Sequence, residues 1–337
     1  MKLIIQIPCL NEREQLPRTF ADLPRSLPGI REIEVLVIDD GSTDGTAEVA
    51  RELGVHHIVR FPRNRGLSAA HMAGLDACLL LGADIVVNTD ADNQYAGTDI
   101  ERLVAPIVAG QADIVVGDRQ TDTIEEFSPL KKLLQRWGSS VVRTASGTAV
   151  QDSTSGFRAM NQKALLTLFV HNPFSYTLET LIQAGHAGLS VANVTIVTNK
   201  KTRPSRLFRS VPEYLAKNGS VILRSYLMYN PARALSLVTS LLLLVGLGGI
   251  ARFLVYYWME PTRSGHVQSL VLGVGLVMLA FIVGLFWALS VLLAANRRLL
   301  EENLGRTRRL ERLITTREPG LRAAIPGLIR TDAKAWS

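Results

Sequence analysis

The sequence predicts an α/β fold with a mainly parallel central sheet, followed by two transmembrane helices. Short buried strands alternate with helical segments over residues 1–209, which is typical of right-handed βαβ units. Beyond Pro231 the composition changes, because residues 234–258 contain one charged side chain and residues 267–295 contain none. About 20 apolar residues cross a bilayer core, so both segments can span it. A buried helical hairpin is the alternative, and two uncharged segments of this length disfavour it.

The first predicted strand covers residues 3–7 and ends at Pro8. Asn11 and Glu14 have the spacing of a capping box for a helix over residues 12–23. A second buried strand at residues 33–38 leads through an acidic turn to a helix that Gly54 ends. The further predicted elements are strands at 57–61, 84–88, 113–116 and 191–198, helices at 68–81, 99–108, 131–145 and 176–187, and a polar loop at 151–158.

In a parallel sheet, ligands bind at the carboxyl ends of the strands. Asp39, Asp40, Asp90, Asp92 and Arg119 all follow predicted strands directly. The sequence therefore predicts that these side chains meet at one edge of the sheet.

Asp90 and Asp92 end an apolar run and are followed by Gln94. Two carboxylates held together repel each other unless a cation or a proton lies between them. Mg²⁺ and Mn²⁺ at phosphate sites take one or two carboxylates and leave the other positions to water and substrate. These three residues are the predicted metal ligands, and a solvated turn at the end of a strand is the alternative.

Asp39 and Asp40 lie between a predicted strand and a helix. A carboxylate in this place can accept a hydrogen bond from a ribose hydroxyl or a base N–H. The alternative is capping of the next helix, but Asp44 or Ser42 can do that. We therefore expect Asp39 and Asp40 to bind a nucleotide.

Three arginines and one further acid have two interpretations each. Arg119 could bind phosphates or pair with Asp118, and Asp152 could be a general base or organise its own loop. Arg203 and Arg206 could clamp a phosphate, which suits the guanidinium fork, or form a basic run attracted to anionic lipid.

Composition restricts the location and the partners. The net charge of +7 is concentrated around the apolar segments, which indicates anionic membrane lipid as a partner. Nucleic acid is not indicated, because the sequence has no basic stripe with interleaved aromatic residues. The two cysteines fit a reducing compartment, and we expect no export signal. Arginines are frequent before the first apolar segment and after the second, and the linker between the segments has one. The positive-inside rule therefore predicts a multi-pass protein of the cell (inner) membrane, with the α/β domain and both termini in the cytoplasm.

Six motifs occur in order along the chain: residues 8–12 (PCLNE), 37–46 (VIDDGSTDGT), 64–66 (NRG), 90–94 (DADNQ), 117–119 (GDR) and 152–158 (DSTSGFR). Together they resemble family 2 glycosyltransferases, and among these the dolichyl- and polyprenyl-phosphate sugar synthases. The resemblance implies a GT-A fold, a UDP- or GDP-sugar donor, Mg²⁺ or Mn²⁺, and transfer with inversion onto a polyprenyl phosphate. Processive synthesis is not expected, because it needs more membrane spans.

The resemblance also assigns roles to residues. Pro8, Glu12 and Asp39 would hold the nucleotide, with Asp40, Ala91 and Arg119 in the same cofactor-binding set. Asp90, Asp92 and Gln94 would hold the metal and diphosphate. Arg119, Arg203 and Arg206 would bind donor or acceptor phosphates, and the candidate catalytic residues are Asp92, Arg119 and Asp152. The alternatives are a lipid acceptor with a hydroxyl nucleophile and a non-catalytic membrane scaffold.

The predicted organisation is a cytoplasmic glycosyltransferase domain at residues 1–209, an amphipathic juxtamembrane segment at 210–233, spans at 234–258 and 267–295, an external loop at 259–266 and a basic cytoplasmic tail at 296–337. Leucines among the arginines of residues 296–313 fit either pairing between subunits of a homo-oligomer or contact with the membrane surface.

Overall fold

The computed structural model describes residues 1–120, 138–144, 146–170, 176–199, 219–220, 231–259, 267–317 and 327–330. The chain forms two units. One unit comprises Met1–Leu223 and Glu302–Ser337, and the other comprises Arg224–Glu301.

A single sheet organises the first unit. Its eight described strands lie in the order β7-β5-β6-β4-β1-β2-β3-β8. Only β6 and β8 run antiparallel to their described neighbours, so the prediction of a mainly parallel sheet is confirmed. The strands are β1 (Lys2–Cys9), β2 (Glu32–Asp39), β3 (His57–Arg60), β4 (Ile85–Asn88), β5 (Ile114–Asp118), β6 (Arg158–Asn161), β7 (Val191–Thr195) and β8 (Leu328–Arg330).

Helices cover the sheet and form the apolar unit. They are α1 (Leu16–Asp22), α2 (Thr46–Glu52), α3 (Leu67–Leu80), α4 (Asp99–Val108), α5 (Gln162–Thr167), α6 (Thr177–His186), α7 (Pro231–Met259) and α8 (Val267–Arg317). Residues 138–144 are also helical, within the helix predicted at 131–145.

The core lies between the centre of the sheet and the helices that pack on it. Leu3, Ile5 and Ile7 of β1 are fully buried in one apolar cluster, to which Leu16 of α1 and Leu103 of α4 also contribute. Each such side chain stabilises the fold by about 1.5–3 kcal/mol relative to exposure. This packing makes β1 a rigid support for the loops at its carboxyl end.

Two details of the first βα unit correct the sequence prediction. β1 continues through Pro8 to Cys9 and pairs with β2 over this whole length. On its other side β1 pairs with β4 only over Leu3–Gln6, so the missing N–H of Pro8 breaks no hydrogen bond to β4. Asn11 does not cap α1, which begins at Leu16 without a side-chain cap. Asn11 has a φ of 54°, and its side chain instead accepts a hydrogen bond from Thr43 N at 3.0 Å.

Strand β6 was not predicted, because the predicted polar loop ends at Arg158, the first residue of β6, and residues 159–161 were assigned to no element. It inserts between β4 and β5 and pairs Arg158 with Asn88. Because β6 is antiparallel, its first residue lies at the carboxyl end of β4. The loop at residues 152–157 is therefore brought to the edge of the sheet that carries the predicted site.

Helices α7 and α8 are long and apolar enough to cross a membrane, with mean hydropathies of 2.2 and 2.7 in their most apolar windows. α8 continues without a break past Ala295 to Arg317, so the predicted tail begins inside a helix. Leu310 and Leu313 are exposed there. The predicted juxtamembrane segment and external loop lie mostly outside the described residues, and the predicted orientation remains a prediction.

Candidate active site

Asp90 and Asp92 lie directly beyond the carboxyl end of β4. Burial, followed by the charge of Asp92, raises the pKa of Asp90 from 3.8 to about 7. Arg119 and Glu12 also act on this carboxyl group electrostatically. The structure therefore brings four of the predicted site residues into one electrostatic cluster.

The donor set fits a divalent metal bound together with a diphosphate. Among the described residues, no hydrogen bond reaches the Asp90 carboxylate, and Asp92 Oδ1 accepts one from Gln94 N at 3.2 Å. No group of three or more His, Cys, Asp or Glu side chains in the described part of the chain could hold a metal. If Asp90, Asp92 and Gln94 bind a metal, their three oxygens would leave the other positions to phosphate oxygens and water, as Mg²⁺ prefers.

The backbone of this turn is held from two sides. Asn93 has a φ of 56°, which asparagine tolerates better than most residues. The carbonyl oxygen of Ala91 accepts a hydrogen bond from Thr19 Oγ1 at 2.8 Å, and that of Gln94 accepts one from Asn199 N at 2.9 Å. The main chain of the predicted metal ligands is therefore fixed before a ligand binds.

Asp39 and Asp40, at the end of β2, are almost completely buried. Asp40 accepts hydrogen bonds from Arg65 N at 2.7 Å and from Gly66 N at 2.9 Å. Its carboxylate thus positions the turn before α3. Asp39 Oδ1 accepts one from Ser42 N at 2.9 Å.

The second oxygen of Asp39 is the acceptor at this strand end that could bind a nucleotide. Asp39 Oδ2 is buried without a hydrogen bond from any described residue, although Arg60 Nε lies 3.2 Å away. Asp44 rather than Asp39 accepts from Thr46 N at the start of α2. The start of α2 therefore does not use Asp39, and binding of a nucleotide by this residue remains a prediction.

Arg119 pairs with Asp152 and not with Asp118, the surface partner considered from the sequence. Its Nε and Nη2 lie 2.6 and 3.0 Å from the two oxygens of Asp152, and Nη2 also donates to Thr154 Oγ1 at 2.7 Å. The guanidinium, followed by Thr154, lowers the pKa of Asp152 although burial opposes this. Asp152 is consequently a weak base held in a fixed ion pair.

The loop at residues 152–157 is held by Arg158, whose side chain is fully buried. Its guanidinium donates to Ser155 O at 2.8 Å and to Ser153 O at 2.9 Å. A Cβ on Gly156 would lie 2.8 Å from Tyr176 Oη and 3.4 Å from both Asp90 oxygens. The loop thus passes close to Asp90 because residue 156 has no side chain.

A buried polar network supports β4 immediately before the acids. Asn88 Nδ2 donates to Gly156 O at 2.9 Å and to Tyr176 Oη at 3.0 Å. The His71 ring stacks on Tyr176 with centroids 3.7 Å apart, and burial lowers the pKa of His71 to about 3. The neutral ring packs in the core. Sequence reasoning missed Asn88, Gly156 and Tyr176 because their roles depend on strand β6.

The other predicted residues fall at the same edge or outside the described chain. Pro8 is buried near the end of β1, and Glu12 is buried just beyond it. Arg203 and Arg206, the predicted phosphate clamp, lie outside the described residues, and their role remains a prediction.

Known proteins are similar to this chain in sequence, and others are similar to it in fold. The family model for glycosyl transferase family 2 matches residues 4–169. Polyprenol monophosphomannose synthase from Mycolicibacterium smegmatis is 29% identical over 211 residues, which cover 59% of this chain and 78% of that protein. An uncharacterised glycosyltransferase from Mycobacterium bovis is 34% identical over 207 residues, which cover 59% of this chain and 85% of the relative.

A solved structure has the same fold at low sequence identity. Glucosyl-3-phosphoglycerate synthase from Mycobacterium tuberculosis, crystallised with Mn²⁺, UDP-glucose and phosphoglyceric acid, aligns with a TM-score of 0.51 at 22% identity, over 67% of this chain and 78% of that one. The family match, the relatives and the acidic edge of the sheet agree, and the chain belongs to glycosyl transferase family 2.

Proposed function

We propose that this glycosyltransferase transfers a sugar from a UDP- or GDP-sugar to a polyprenyl phosphate at the cytoplasmic face of the cell membrane, with Mg²⁺ or Mn²⁺ bound at Asp90, Asp92 and Gln94. The observation that carries the proposal is the state of Asp90. This carboxylate accepts no hydrogen bond from the described residues, and its pKa is raised to about 7 by burial and Asp92. A divalent cation would remove that electrostatic penalty.

The metal would neutralise the negative charge that develops on the departing nucleoside diphosphate, which lowers the barrier without a proton transfer. Asp90 and Asp92 would hold the metal beside the diphosphate, and in the transfer neither attacks the sugar nor accepts a proton. The buried network at Asn88 fixes the strand that carries them. A phosphate oxygen of the acceptor forms the new bond to the anomeric carbon while the bond to the diphosphate breaks, with inversion at that carbon.

The ion pair between Arg119 and Asp152 supports a phosphate acceptor over a hydroxyl acceptor. A hydroxyl nucleophile needs a general base, and a base is most effective with a pKa near neutrality. The pKa of Asp152 is instead lowered by Arg119. A lipid phosphate is already anionic near neutral pH and needs no strong base, so the paired Asp152 suits it.

Two further observations support the lipid nature of the acceptor. α7 and α8 are long and apolar enough to cross a membrane. The relative from Mycolicibacterium smegmatis is named for a polyprenol-linked mannose product.

The solved glucosyl-3-phosphoglycerate synthase was crystallised with a glucose donor and a small phosphorylated acid. The sugar therefore does not follow from the fold.

The proposal can be tested with membranes that contain the full chain. They are incubated with radiolabelled UDP- and GDP-sugars, polyprenyl phosphate and Mg²⁺ or Mn²⁺. We expect label from one donor in an acid-labile lipid fraction and no label after chelation. Membranes that contain the Asp92→Asn variant are the matched control. Transfer that persists in excess chelator would contradict the metal site, and label found only in an acid-stable lipid would contradict the phosphate acceptor.

A further inference from the structure

The segment that follows the second apolar helix returns to the sheet. β8 pairs antiparallel with β3, with Leu328 opposite Val59 and Arg330 opposite His57. Because β8 runs against β3, the start of β8 lies at the carboxyl edge of the sheet. Gly327, immediately before β8, is consequently placed at the edge that also carries the acidic residues.

The end of α8 is fastened to the same unit by Arg308. Its side chain is 6% exposed and lies 2.8 Å from Asp76. Its Nη1 donates to Leu168 O at 2.7 Å and to Leu165 O at 3.3 Å, and the guanidinium lies 5.5 Å from the centre of the Phe169 ring. A buried guanidinium is costly without such partners, so this contact is specific.

Neighbouring arginines show that the contact is selective. Arg312 Nη2 donates to Asp84 Oδ1 at 3.1 Å, again within the sheet unit. Arg306, in contrast, is 73% exposed and pairs with Glu302 one turn earlier in its own helix. The arginines of α8 thus include docked and solvated members, whereas a merely basic tail would leave all of them in solvent.

Gly327 closes one side of a pocket at the ends of β2 and β3. The pocket has a volume of about 520 Å³ and is lined by residues 41–43, residues 60–62 and Gly327. Arg60 N donates to Gly327 O at 3.0 Å. Gly327 has a φ of 77°, and a Cβ there would lie 2.7 Å from Arg60 O. Only glycine can approach β3 this closely without a shift of the backbone.

The same pocket adjoins the acid expected to bind the nucleotide. Arg60, which lines it, places Nε 3.2 Å from Asp39 Oδ2, and Arg60 Nη1 also lies 3.0 Å from Glu48. Phe61 and Pro62 are apolar members of the lining, and Ser42, Thr43 and Arg60 are polar members. A volume of this size is in the range that holds a small ligand.

We infer that the nucleoside of the donor binds in this pocket and that the C-terminal segment, through Gly327, forms part of its wall. This inference rests on the proposed use of a nucleotide-sugar donor. Gly327, which follows the apolar helices in the chain, is then a component of the donor site. Docking of this segment and nucleotide binding stabilise each other, because linkage is reciprocal.

The test uses the full chain in detergent, with UDP and GDP as probes in the presence of Mn²⁺ and calorimetric titration as the readout. Gly327→Val should weaken binding of the nucleotide that the wild type prefers by about tenfold or more, since its Cβ displaces Arg60. Gly110→Val is the matched control. Gly110 also has a positive φ, of 69°, but nothing lies within 4 Å of its Cβ position, so affinity should stay within twofold.

A second pair of variants tests the docking of α8. Arg308→Ala should weaken nucleotide binding severalfold, and Arg306→Ala should leave it unchanged. In the wild type, the preferred nucleotide should slow trypsin cleavage between residues 317 and 330, and this readout does not depend on whether a variant folds.

The outcomes separate the two proposals. A wild type that binds neither UDP nor GDP contradicts the donor class and this inference together. A wild type that binds one of them, while Gly327→Val binds equally well or tail cleavage is unaffected by the nucleotide, overturns the inference and leaves the donor class intact.

Discussion

Strands β2 and β4 both end in a pair of acidic residues, but the two pairs have opposite surroundings. Asp39 and Asp40 accept hydrogen bonds from three backbone N–H groups. Asp90 accepts none from the described residues, and Asp92 accepts one from Gln94 N. Similar sequence patterns therefore give one pair that shapes loops and one pair whose carboxylates repel each other and accept few hydrogen bonds from the described residues.

The difference shows that the neighbouring loop decides the chemistry of a strand end. The turn before α3 folds back over Asp40 and presents two amides to it. At β4 the neighbour is the loop held by Arg158, which approaches Asp90 through Gly156 and brings no donor to it. A carboxylate satisfied by amides organises the fold, whereas one left beside a second carboxylate attracts a cation.

The largest expected effect comes from removing a charge at β4. Asp92→Asn and Asp90→Asn should each lower kcat/KM by about a thousandfold, the upper range for loss of one group that stabilises transition-state charge. Initial rates of sugar transfer and Mn²⁺ affinity would be measured on the same preparations. Glu302→Gln, which removes an exposed acid paired with Arg306, should leave both unchanged, and equal losses in all three variants would contradict the comparison.

A third acid at this edge, Asp152, has a cationic partner, Arg119, in addition to the backbone N–H of Thr154. Arg119→Ala should lower the free energy of unfolding by about 3 kcal/mol, because it leaves a buried carboxylate unpaired. Chemical denaturation would measure the loss. Adding Asp152→Asn to Arg119→Ala should recover part of the stability, and a double variant no more stable than Arg119→Ala alone would show that the two side chains are not coupled.

The pair at β2 should respond through stability rather than through the metal. Asp40→Ala removes the acceptor of two backbone hydrogen bonds, so we expect a loss of about 2 kcal/mol in the free energy of unfolding. Mn²⁺ affinity should remain within twofold of the wild type. Greatly weakened Mn²⁺ binding in a folded Asp40→Ala variant would contradict the assignment of the metal to the end of β4.

Metal binding should depend on pH because the cation competes with a proton on Asp90. The pKa of this group is raised to about 7, so Mn²⁺ affinity should fall about tenfold per unit below pH 7 and level off above it. Without metal, the raised pKa should make folding less favourable as pH rises from 3.8 towards 7. Mn²⁺ titrations from pH 5.5 to 8.5 would test the first expectation. The Mn²⁺ affinity of the Asp90→Asn variant should depend much less on pH.

The sequence was sufficient for the parallel core and for the acidic edge. Apolar runs such as Val35–Ile38 and Ile85–Val87 form buried strands, and the polar residues after them meet at one edge because parallel strands share their direction. The spacing of Asp90 and Asp92 suggested a metal site, with a solvated turn as the alternative, and the metal site remains a prediction.

Long-range partners could not be predicted in the same way. β6 has the sequence Arg-Ala-Met-Asn, which carries little strand preference, and its place between β4 and β5 is decided by pairing. The partner of Arg119 is Asp152, 33 residues away, while Asp118 is adjacent in sequence. Asn11 likewise bonds to Thr43 rather than to its own helix, since the acidic turn after β2 offers a free amide.

The central claim is that the acids after β4 bind the metal and diphosphate, whereas Asp40 after β2 positions a turn. Electron–nuclear double resonance of bound Mn²⁺ tests this claim most directly. We expect wild-type protein with UDP or GDP to show a ³¹P coupling from a phosphate bound to Mn²⁺. Asp92→Asn should lose this coupling, and folded Asp40→Ala should retain it. A ³¹P coupling that persists in Asp92→Asn, or disappears in folded Asp40→Ala, would contradict the assignment of the metal-diphosphate site to the end of β4.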